Sequence, residues 1–286
     1  MASGTFGYAS ECRSLINLNR LGGIITKAIT LNPRAGNPPP RIAETAAGML
    51  NSIGLANVGV ERFISEKLPF LQTLEPAIIV NVAGSTLDEY LAVVEALESA
   101  DGIAGYEINV SCPNVKRGGM QFGTDAKQVF ELTQQLRHRS HRSLIIKLTP
   151  NVTNIATIAH AVQDGGADAI SLINTVRGMA IDIHTRKPKI ATIFGGLSGP
   201  AIKPIALAKV YEVAQVVTIP VIGLGGIMNH EDAVEFLLAG ATAIQVGTAT
   251  FVHPRTAEQI IDDLWQYCQI NCIYKIQELV GGLKKS

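Results

Sequence analysis

The densest group of chemically useful side chains lies in one short segment, Glu107-Ile-Asn109-Val-Ser111-Cys112-Pro-Asn114. Asn109 and Ser111 are two residues apart, so they lie on the same face of a strand. Cys112 stands where the strand ends, because the following proline has no N–H for the ladder. Carboxamides around a thiol can hold the amide and carboxylate groups of a planar ligand while the thiol faces a C–H bond. The alternative is a buried Cys112 that packs as a small hydrophobic residue.

Two lysines lie in or beside apolar runs. Lys27 follows the run 23–26, and Lys147 lies within the run 144–148. A buried ammonium is unfavourable unless it is paired, so both lysines are candidates for a site. Lys147 could place its charge near the edge of a flavin ring, or either lysine could form a Schiff base with a substrate carbonyl. An ion pair with a carboxylate inside the fold is the remaining alternative.

Glycine-rich turns follow the last two apolar runs, at Gly223-Leu-Gly225-Gly226 and at Gly247-Thr248. Each turn precedes a helical pattern. Glycines let backbone N–H groups approach a phosphate, and the N-terminus of a helix adds partial positive charge. The turns therefore predict a phosphate site, with plain strand-to-helix turns as the alternative. Neither turn fits the GxGxxG motif.

The elements that must position these residues alternate between two kinds. Short β-branched runs predict seven strands, at 23–26, 77–82, 106–110, 144–148, 169–173, 220–224 and 243–247. Most are apolar on both faces, which is typical of a parallel sheet covered by helices. Apolar residues repeat with helical spacing between them, at 87–97, 126–136, 155–162, 205–213 and 233–238. Strand–helix alternation that ends in glycine-rich turns predicts an α/β fold, a closed (β/α)₈ TIM barrel.

Three other segments complete the predicted organisation. The opening residues 1–7 indicate the tail of an eighth strand, which is otherwise missing from the N-terminus. Segments 28–59 and 175–200 are too long for ordinary barrel turns and predict inserted active-site loops. Residues 255–286 predict one or two helices packed on the outside. With no linker in the sequence, residues 1–286 are expected to form a single domain.

Composition excludes several classes of protein. Lys plus Arg is 24 and Asp plus Glu is 24, so the net charge of zero gives no reason to expect nucleic acid or an anionic membrane as a partner. Hydrophobic residues make up 47% of the 286, which requires a large core. The apolar runs are far shorter than the roughly 18 residues of a membrane span. Residues 1–10 have no signal-peptide pattern, and four cysteines do not suggest a disulfide framework, so we expect a cytoplasmic protein without a metal site.

Several motifs match one family in order along the chain. They are Lys27-Ala-Ile-Thr30, Gly36-Asn-Pro-Pro-Pro-Arg41, Asn51-Ser-Ile-Gly-Leu55, Asn109-Val-Ser-Cys-Pro-Asn114, Ile173-Asn-Thr175, Gly195-Gly-Leu-Ser-Gly-Pro-Ala201, Gly225-Gly226 and Gly247-Thr248. Over residues 2–251 the chain resembles the catalytic subunit of class 1B dihydroorotate dehydrogenase. Cys112, where the membrane-associated class 2 enzymes have serine, indicates class 1. The stretches 36–41 and 48–55 resemble class 1B more than the homodimeric class 1A.

The resemblance implies a reaction and a set of site residues. Dihydroorotate would be oxidised to orotate in pyrimidine (UMP) biosynthesis, with Cys112 as the general base at C5 and hydride transfer from C6 to FMN. The substrate residues implied are Lys27, Asn51, Ser52, Ile53, Gly54, Leu55, Asn109, Asn174 and Thr175. The FMN residues implied are Ser3, Lys27, Ala28, Asn81, Asn109, Lys147, Ile173, Gly199, Gly225, Gly226, Gly247 and Thr248.

The resemblance also implies partners. A second subunit that carries FAD and a 2Fe–2S cluster would pass the electrons to NAD, and two catalytic subunits would form a homodimer core within a heterotetramer. Three alternatives stay open at this point: a fumarate-linked enzyme of the class 1A type, a Schiff-base barrel aldolase or synthase, and a truncated, inactive paralogue.

Overall fold

The computed structural model of the chain describes residues 1–111 and 122–284. The strands within these residues are β1 (Gly23–Ile25), β2 (Ile42–Thr45), β3 (Gly48–Asn51), β4 (Ala77–Val82), β5 (Gly105–Asn109), β6 (Ser143–Lys147), β7 (Ala169–Leu172), β8 (Val176–Gly178), β9 (Ile181–Asp182), β10 (Lys187–Pro188), β11 (Gly195–Ser198), β12 (Val221–Leu224) and β13 (Ala243–Gln245). The helices are α1 (Val60–Arg62), which continues through the π-helical turn Phe63–Lys67 into α2 (Leu68–Leu71), then α3 (Leu87–Glu98), α4 (Ala126–Arg139), α5 (Ile155–Asp164), α6 (Lys203–Ala214), α7 (His230–Leu238), α8 (Ala249–Val252) and α9 (Thr256–Ile270).

A parallel sheet of seven strands forms the centre of the described structure. Its strand order is β1-β4-β5-β6-β7-β12-β13, and every neighbouring pair is parallel. These are the seven strands that the sequence predicts, each within about two residues of its predicted ends. The strands are apolar on both faces because one face fills the barrel interior and the other is covered by helices. Strand β7, for example, is buried along its whole length.

The opening residues lie between the two edges of this sheet. The Met1 amino group donates to Gly23 O at 2.8 Å, and Ile25 N donates to Met1 O at 3.2 Å. On the other side Ala2 N donates to Val246 O at 2.8 Å, directly after β13. Residues 1 and 2 therefore occupy the place of the eighth strand and connect the edges into a barrel. The prediction that residues 1–7 hold the end of this strand is confirmed for residues 1 and 2, whereas residues 3–7 form turns and bends.

Helices alternate with the central strands and begin at side-chain caps. Thr86 Oγ1 accepts from Glu89 N at 3.2 Å to start α3, and Asn154 Oδ1 accepts from Thr157 N at 3.2 Å to start α5. Helix α7 starts at a capping box in which Asn229 and Asp232 each accept a backbone N–H of the other. These caps satisfy N–H groups that have no partner within a helix. The tail packs outside the barrel as predicted, where the turn Ile276–Leu279 lies against α7.

The two long segments, predicted as loops, contain a second sheet. It is antiparallel, with the order β2-β3-β11-β8. Across it Leu50 pairs with Ala43 on one side and with Leu197 on the other. The sequence does not predict these strands, because β11 begins with two glycines and β2 is half exposed, so neither has a strong apolar alternation. Since the sheet joins segment 28–59 to segment 175–200, the two segments are held together over the barrel.

No helix within the described part of the chain is long and apolar enough to cross a membrane.

Candidate active site

A cleft of about 920 Å³ lies at the carboxyl ends of the barrel strands, beneath the four-stranded sheet. Every site residue predicted from the sequence other than Cys112 lines it: Ser3, Lys27, Ala28, Asn51, Ser52, Ile53, Gly54, Leu55, Asn81, Asn109, Lys147, Ile173, Asn174, Thr175, Gly199, Gly225, Gly226, Gly247 and Thr248. The barrel supplies one wall and the two inserted segments supply the other. The structure therefore brings these residues together, while the individual role of each stays a prediction.

Cys112, the predicted base, lies outside the described residues, as does Asn114. Ser111, the last described residue before this gap, and Gly123, the second described residue after it, both belong to the lining of the cleft.

A buried carboxylate on β5, Glu107, organises the floor of the cleft. Its side chain is fully buried and accepts hydrogen bonds from side chains on four other strands. Asn81 Nδ2 donates to Oε1 at 2.7 Å, and Lys147 Nζ lies 3.3 Å from the same oxygen. The other oxygen, Oε2, accepts from Ser171 Oγ and from Gln245 Nε2, each at 2.9 Å. The predicted alternative for Lys147, an ion pair with a carboxylate inside the fold, is therefore confirmed, and Lys147 lines the cleft as well.

The charge of Glu107 is stabilised by these contacts. Burial alone would raise the pKa of its carboxyl. The attraction of Lys147 and the hydrogen bonds from Gln245, Asn81 and Ser171 outweigh that effect and hold the pKa of Glu107 below its usual range. Glu107 and Lys147 thus form a charged pair inside the barrel.

Two amide oxygens at the floor have no hydrogen-bond partner within the part of the chain that the structure describes. Asn81 and Gln245 both turn their N–H₂ groups toward Glu107, which leaves Asn81 Oδ1 and Gln245 Oε1 buried without a hydrogen bond among the described residues. Leaving such a buried acceptor unpaired costs about 1–3 kcal/mol. Because both residues line the cleft, a ligand with N–H or O–H donors would satisfy these oxygens.

Lys27 supplies a second positive charge to the cleft. It directly follows β1 and is half-buried, and no carboxylate within the described residues forms an ion pair with it. Burial lowers the pKa of its ammonium, and nearby Arg41 adds to this, while Glu11 opposes it. A cation that faces a cleft without a protein counterion favours an anionic ligand group such as a carboxylate.

Asparagine side chains are held in place around the cleft. Asn109 Oδ1 accepts from Ser111 N and from Asn174 Nδ2, each at 3.1 Å. Asn174 Oδ1 in turn accepts from Thr175 N at 2.7 Å. Asn51 Nδ2 donates to Gly196 O at 3.1 Å across the four-stranded sheet. Asn109 and Asn51 each have one end of the amide fixed by the protein and can present the other end to a polar planar ligand, whereas both ends of the Asn174 amide are held.

The glycine-rich turns form an open cradle at one end of the cleft. The backbone N–H groups of Gly225, Gly226, Gly247 and Thr248 have no acceptor in the described part of the chain. Gly226 has φ +80°, and a Cβ there would lie 2.8 Å from Lys203 Cβ and 2.9 Å from Gly199 O. Helices α7 and α8 follow the turns as predicted. Unpaired N–H groups in glycine-lined turns are the donors that a phosphate group accepts.

Several residues of the cleft were missed by sequence reasoning. Asn151 ties the inserted segment to the barrel, since its Nδ2 donates to Thr175 O and its Oδ1 accepts from Arg177 N, both at 3.0 Å. The Arg177 guanidinium lies 3.7 Å from the centre of the Phe194 ring at the rim. Gln245 could have been found, because it is a polar residue within an apolar strand, the signal that identified Lys147. Arg177 and Phe194 gave no such signal, because only the antiparallel sheet brings them together.

Fold and site together define a class of protein, a (β/α)₈ barrel whose ligand cleft offers the cations of Lys27 and Lys147, two amide oxygens without a partner among the described residues, and a phosphate cradle. Comparison with known proteins narrows this class. The family model described as "Dihydroorotate dehydrogenase" matches residues 1–267. The chain belongs to the dihydroorotate dehydrogenase family, as the resemblance predicted.

Curated relatives agree over nearly the whole chain. A protein of Geotalea uraniireducens is 54% identical over 282 residues, which cover 99% of this chain and 92% of the relative. Proteins of Thermoanaerobacter pseudethanolicus and Geobacter sulfurreducens are each 52% identical over 283 residues, with 99% of this chain and 93% of the relative covered. All three are named "Dihydroorotate dehydrogenase B (NAD(+)), catalytic subunit".

The family implies a flavin cofactor, and the residues of the cleft fit one. A flavin ring carries an N–H and its side chain carries hydroxyl groups, so it can satisfy the unpaired oxygens of Asn81 and Gln245. The Lys147 ammonium matches the electron-rich edge of the ring. The glycine-rich turns offer free N–H groups to a terminal phosphate.

Proposed function

We propose that this chain oxidises dihydroorotate to orotate in pyrimidine biosynthesis, as the FMN-binding catalytic subunit of a class 1B enzyme. The observation that carries the proposal is the cleft, where a lysine with no ion-pair partner among the described residues, fixed asparagine amides and a phosphate cradle meet in one space. The family and the names of its relatives support the same activity. In this proposal residues 1–286 form a single FMN-binding domain.

The cofactor contacts of the proposal follow from the unpaired groups. The oxygens of Asn81 and Gln245 and the Lys147 ammonium would hold the flavin ring, with Ser3, Ala28, Asn109 and Ile173 along its surface. Gly199, Gly225, Gly226, Gly247 and Thr248 would hold the phosphate. When bound, FMN supplies the acceptor for the hydride from C6 of the substrate.

The substrate contacts follow from charge and amide geometry. Lys27 would bind the carboxylate of dihydroorotate, because no carboxylate within the described residues forms an ion pair with it. Asn51, Asn109, Asn174 and Thr175 would hydrogen-bond the amide edges of the pyrimidine ring. The segment 52–55 would contact the substrate as well, since it follows β3 and lines the cleft. These contacts would fix C5 and C6 of the substrate and exclude water.

Cys112 would take the proton from C5. It follows Ser111, which lines the cleft, and the resemblance assigns it this role. A free thiol has a pKa of about 8.5, so only a minor fraction of free cysteine is thiolate at neutral pH. The Cys112 thiolate would act as the base, and a base is most effective when its pKa lies near the working pH. General-base catalysis of this kind contributes about 10²–10⁴ in rate.

The electrons would leave through a partner subunit. The relatives are named catalytic subunits of NAD(+)-linked enzymes, which supports a second subunit for this chain. We infer that this subunit carries FAD and a 2Fe–2S cluster, and that two catalytic chains form the core of a heterotetramer in the cytoplasm. The class 1A alternative, which uses fumarate, is less well supported because these names specify NAD.

For Lys147 the Schiff-base alternative is opposed by the ion pair, because its Nζ lies 3.3 Å from the buried Glu107 Oε1 and is not free for a substrate carbonyl. The inactive-paralogue alternative is opposed by the cleft itself, because every predicted polar site residue within the described part of the chain lines it.

The direct test uses the purified chain loaded with FMN. We expect a yellow protein whose flavin absorbance is lost when dihydroorotate is added without oxygen and is unchanged when succinate is added instead. Failure to bind FMN, or bound FMN that dihydroorotate leaves oxidised, would rule out the proposed function.

A further inference from the structure

Glu107 is the one carboxylate to which four strands of the described barrel direct polar side chains. It is fully buried and does not line the cleft. Its partners Asn81, Lys147 and Gln245 do line the cleft, whereas Ser171 does not. Glu107 is therefore placed to act on a ligand through these three side chains rather than by touching it.

The first effect of Glu107 is on the orientation of two amides. An ionised carboxylate accepts hydrogen bonds and cannot donate them. Asn81 and Gln245 must therefore point their N–H₂ groups at Glu107, at 2.7 and 2.9 Å, which leaves their oxygens without a partner among the described residues. The floor consequently offers acceptors, which suit the N–H and O–H groups of a ligand.

The second effect is on charge. Lys147 Nζ lies 3.3 Å from Glu107 Oε1, and both side chains are almost fully excluded from solvent. In a poorly screened interior the negative charge of Glu107 offsets much of the positive potential that Lys147 would otherwise create in the cleft. A ligand that gains negative charge on reduction is therefore stabilised less than it would be by Lys147 alone.

We propose that Glu107 is a positioning residue for the flavin, which orients the amides of Asn81 and Gln245 and keeps the reduction potential of the bound ring low by offsetting Lys147. The inference rests on the proposed function, because it takes FMN as the ligand of the cleft. A low potential would favour onward transfer of electrons from the ring to an acceptor.

The test replaces Glu107 with glutamine and measures the bound flavin rather than turnover. In E107Q the positive charge of Lys147 is no longer offset, so the midpoint potential of the flavin should rise. We expect a shift of at least tenfold in the equilibrium between oxidised and reduced flavin, about 30 mV for a two-electron couple. FMN should also bind roughly tenfold more weakly, because the new N–H₂ group favours a flip of Gln245 that turns a donor toward the cleft.

Ser171→Ala is the matched control. It removes a 2.9 Å hydrogen bond to the same carboxylate but keeps the charge and the two amides. We expect S171A to keep the wild-type potential. A potential and an FMN affinity within twofold of wild type in E107Q, or an equal shift in S171A, would overturn the inference.

A second arm covers an E107Q protein that does not fold. In that case the unpaired Lys147 ammonium would be the cause, and E107Q combined with K147Q should restore cooperative unfolding; no recovery would overturn the inference. Wild-type protein that binds no FMN would instead refute the proposed function, so the two failures are distinguishable.

Discussion

Replacement of Lys27 by methionine separates a ligand-binding role from a structural role. Lys27 is half-buried beside the cleft, and no ion pair involves it within the described residues. Its pKa is lowered chiefly by burial, so the folded state disfavours the charged form. That cost to folding applies at pH values below the folded pKa and fades as the pH rises through it. K27M removes the cost, and the unliganded protein should be as stable as wild type or slightly more stable at neutral pH.

Although K27M should not lose stability, its affinity for the product, orotate, should fall. A hydrogen bond to a charged group contributes about 1.5–3 kcal/mol. Loss of the Lys27 contact to a carboxylate should therefore weaken orotate binding by roughly 10- to 150-fold. The assay is titration of FMN-loaded protein with orotate, followed by the change in flavin absorbance, together with urea unfolding of the unliganded protein.

Lys209→Met is the control for K27M. Lys209 pairs with Glu212 on α6 and does not line the cleft, so the variant makes the same change in net charge elsewhere. We expect K209M to bind orotate as wild type does. The assignment of Lys27 to the substrate carboxylate is wrong if K27M binds orotate within twofold of wild type, or if K209M loses as much affinity for orotate as K27M does.

Two further predictions concern the phosphate cradle and the buried ion pair. Gly226→Ala should lower the free energy of unfolding by about 1–2 kcal/mol or more and weaken FMN binding, because the residue has φ +80° and its Cβ would meet Gly199 O at 2.9 Å. Urea unfolding and FMN titration measure both effects, with Gly22→Ala as the control because no atom lies within 4 Å of a Cβ there. Equal effects in the two variants would contradict the prediction. The pKa of Glu107 is lowered in the folded state, so its contribution to stability is present above the ordinary carboxyl range and is lost as the pH falls through the folded pKa. As the pH is lowered, the free energy of unfolding should therefore fall less in the double variant E107Q/K147Q than in wild type. Parallel plots of the free energy of unfolding against pH for the two proteins would argue against a stabilising role of the ion pair.

The barrel could be predicted from the sequence because its strands are short, apolar on both faces and separated by regular helical patterns. The run 77–82 and the helix start at Leu87 match the structure for this reason. The antiparallel sheet could not be predicted, because β3 and β11 are stabilised by pairing between segments about 145 residues apart, as in the hydrogen bond from Asn51 to Gly196. Helix α1 and its π-helical continuation were missed as well, since Pro69 and a mixed polar pattern obscure their periodicity.

The candidate site likewise contains residues that the sequence pattern predicts and residues that it does not. Lys27 and Lys147 were recognisable because a cation in or beside an apolar run requires a partner. Asn51, Asn81 and Asn174 came from the family resemblance, since an isolated asparagine has no distinctive pattern. Glu107 was visible next to Asn109, but its central place depends on four strands meeting in space, which only the structure provides.

The central claim is that Cys112 removes a proton from a substrate whose hydride passes to a flavin in the same cleft. The most direct measurement is the rate of flavin reduction in a single anaerobic mixing of dihydroorotate with FMN-loaded wild type and with Cys112→Ala. We predict a reduction rate about 10²–10⁴-fold lower in the variant at neutral pH, with orotate affinity within a few-fold of wild type. Equal rates of reduction in the two proteins would contradict the account.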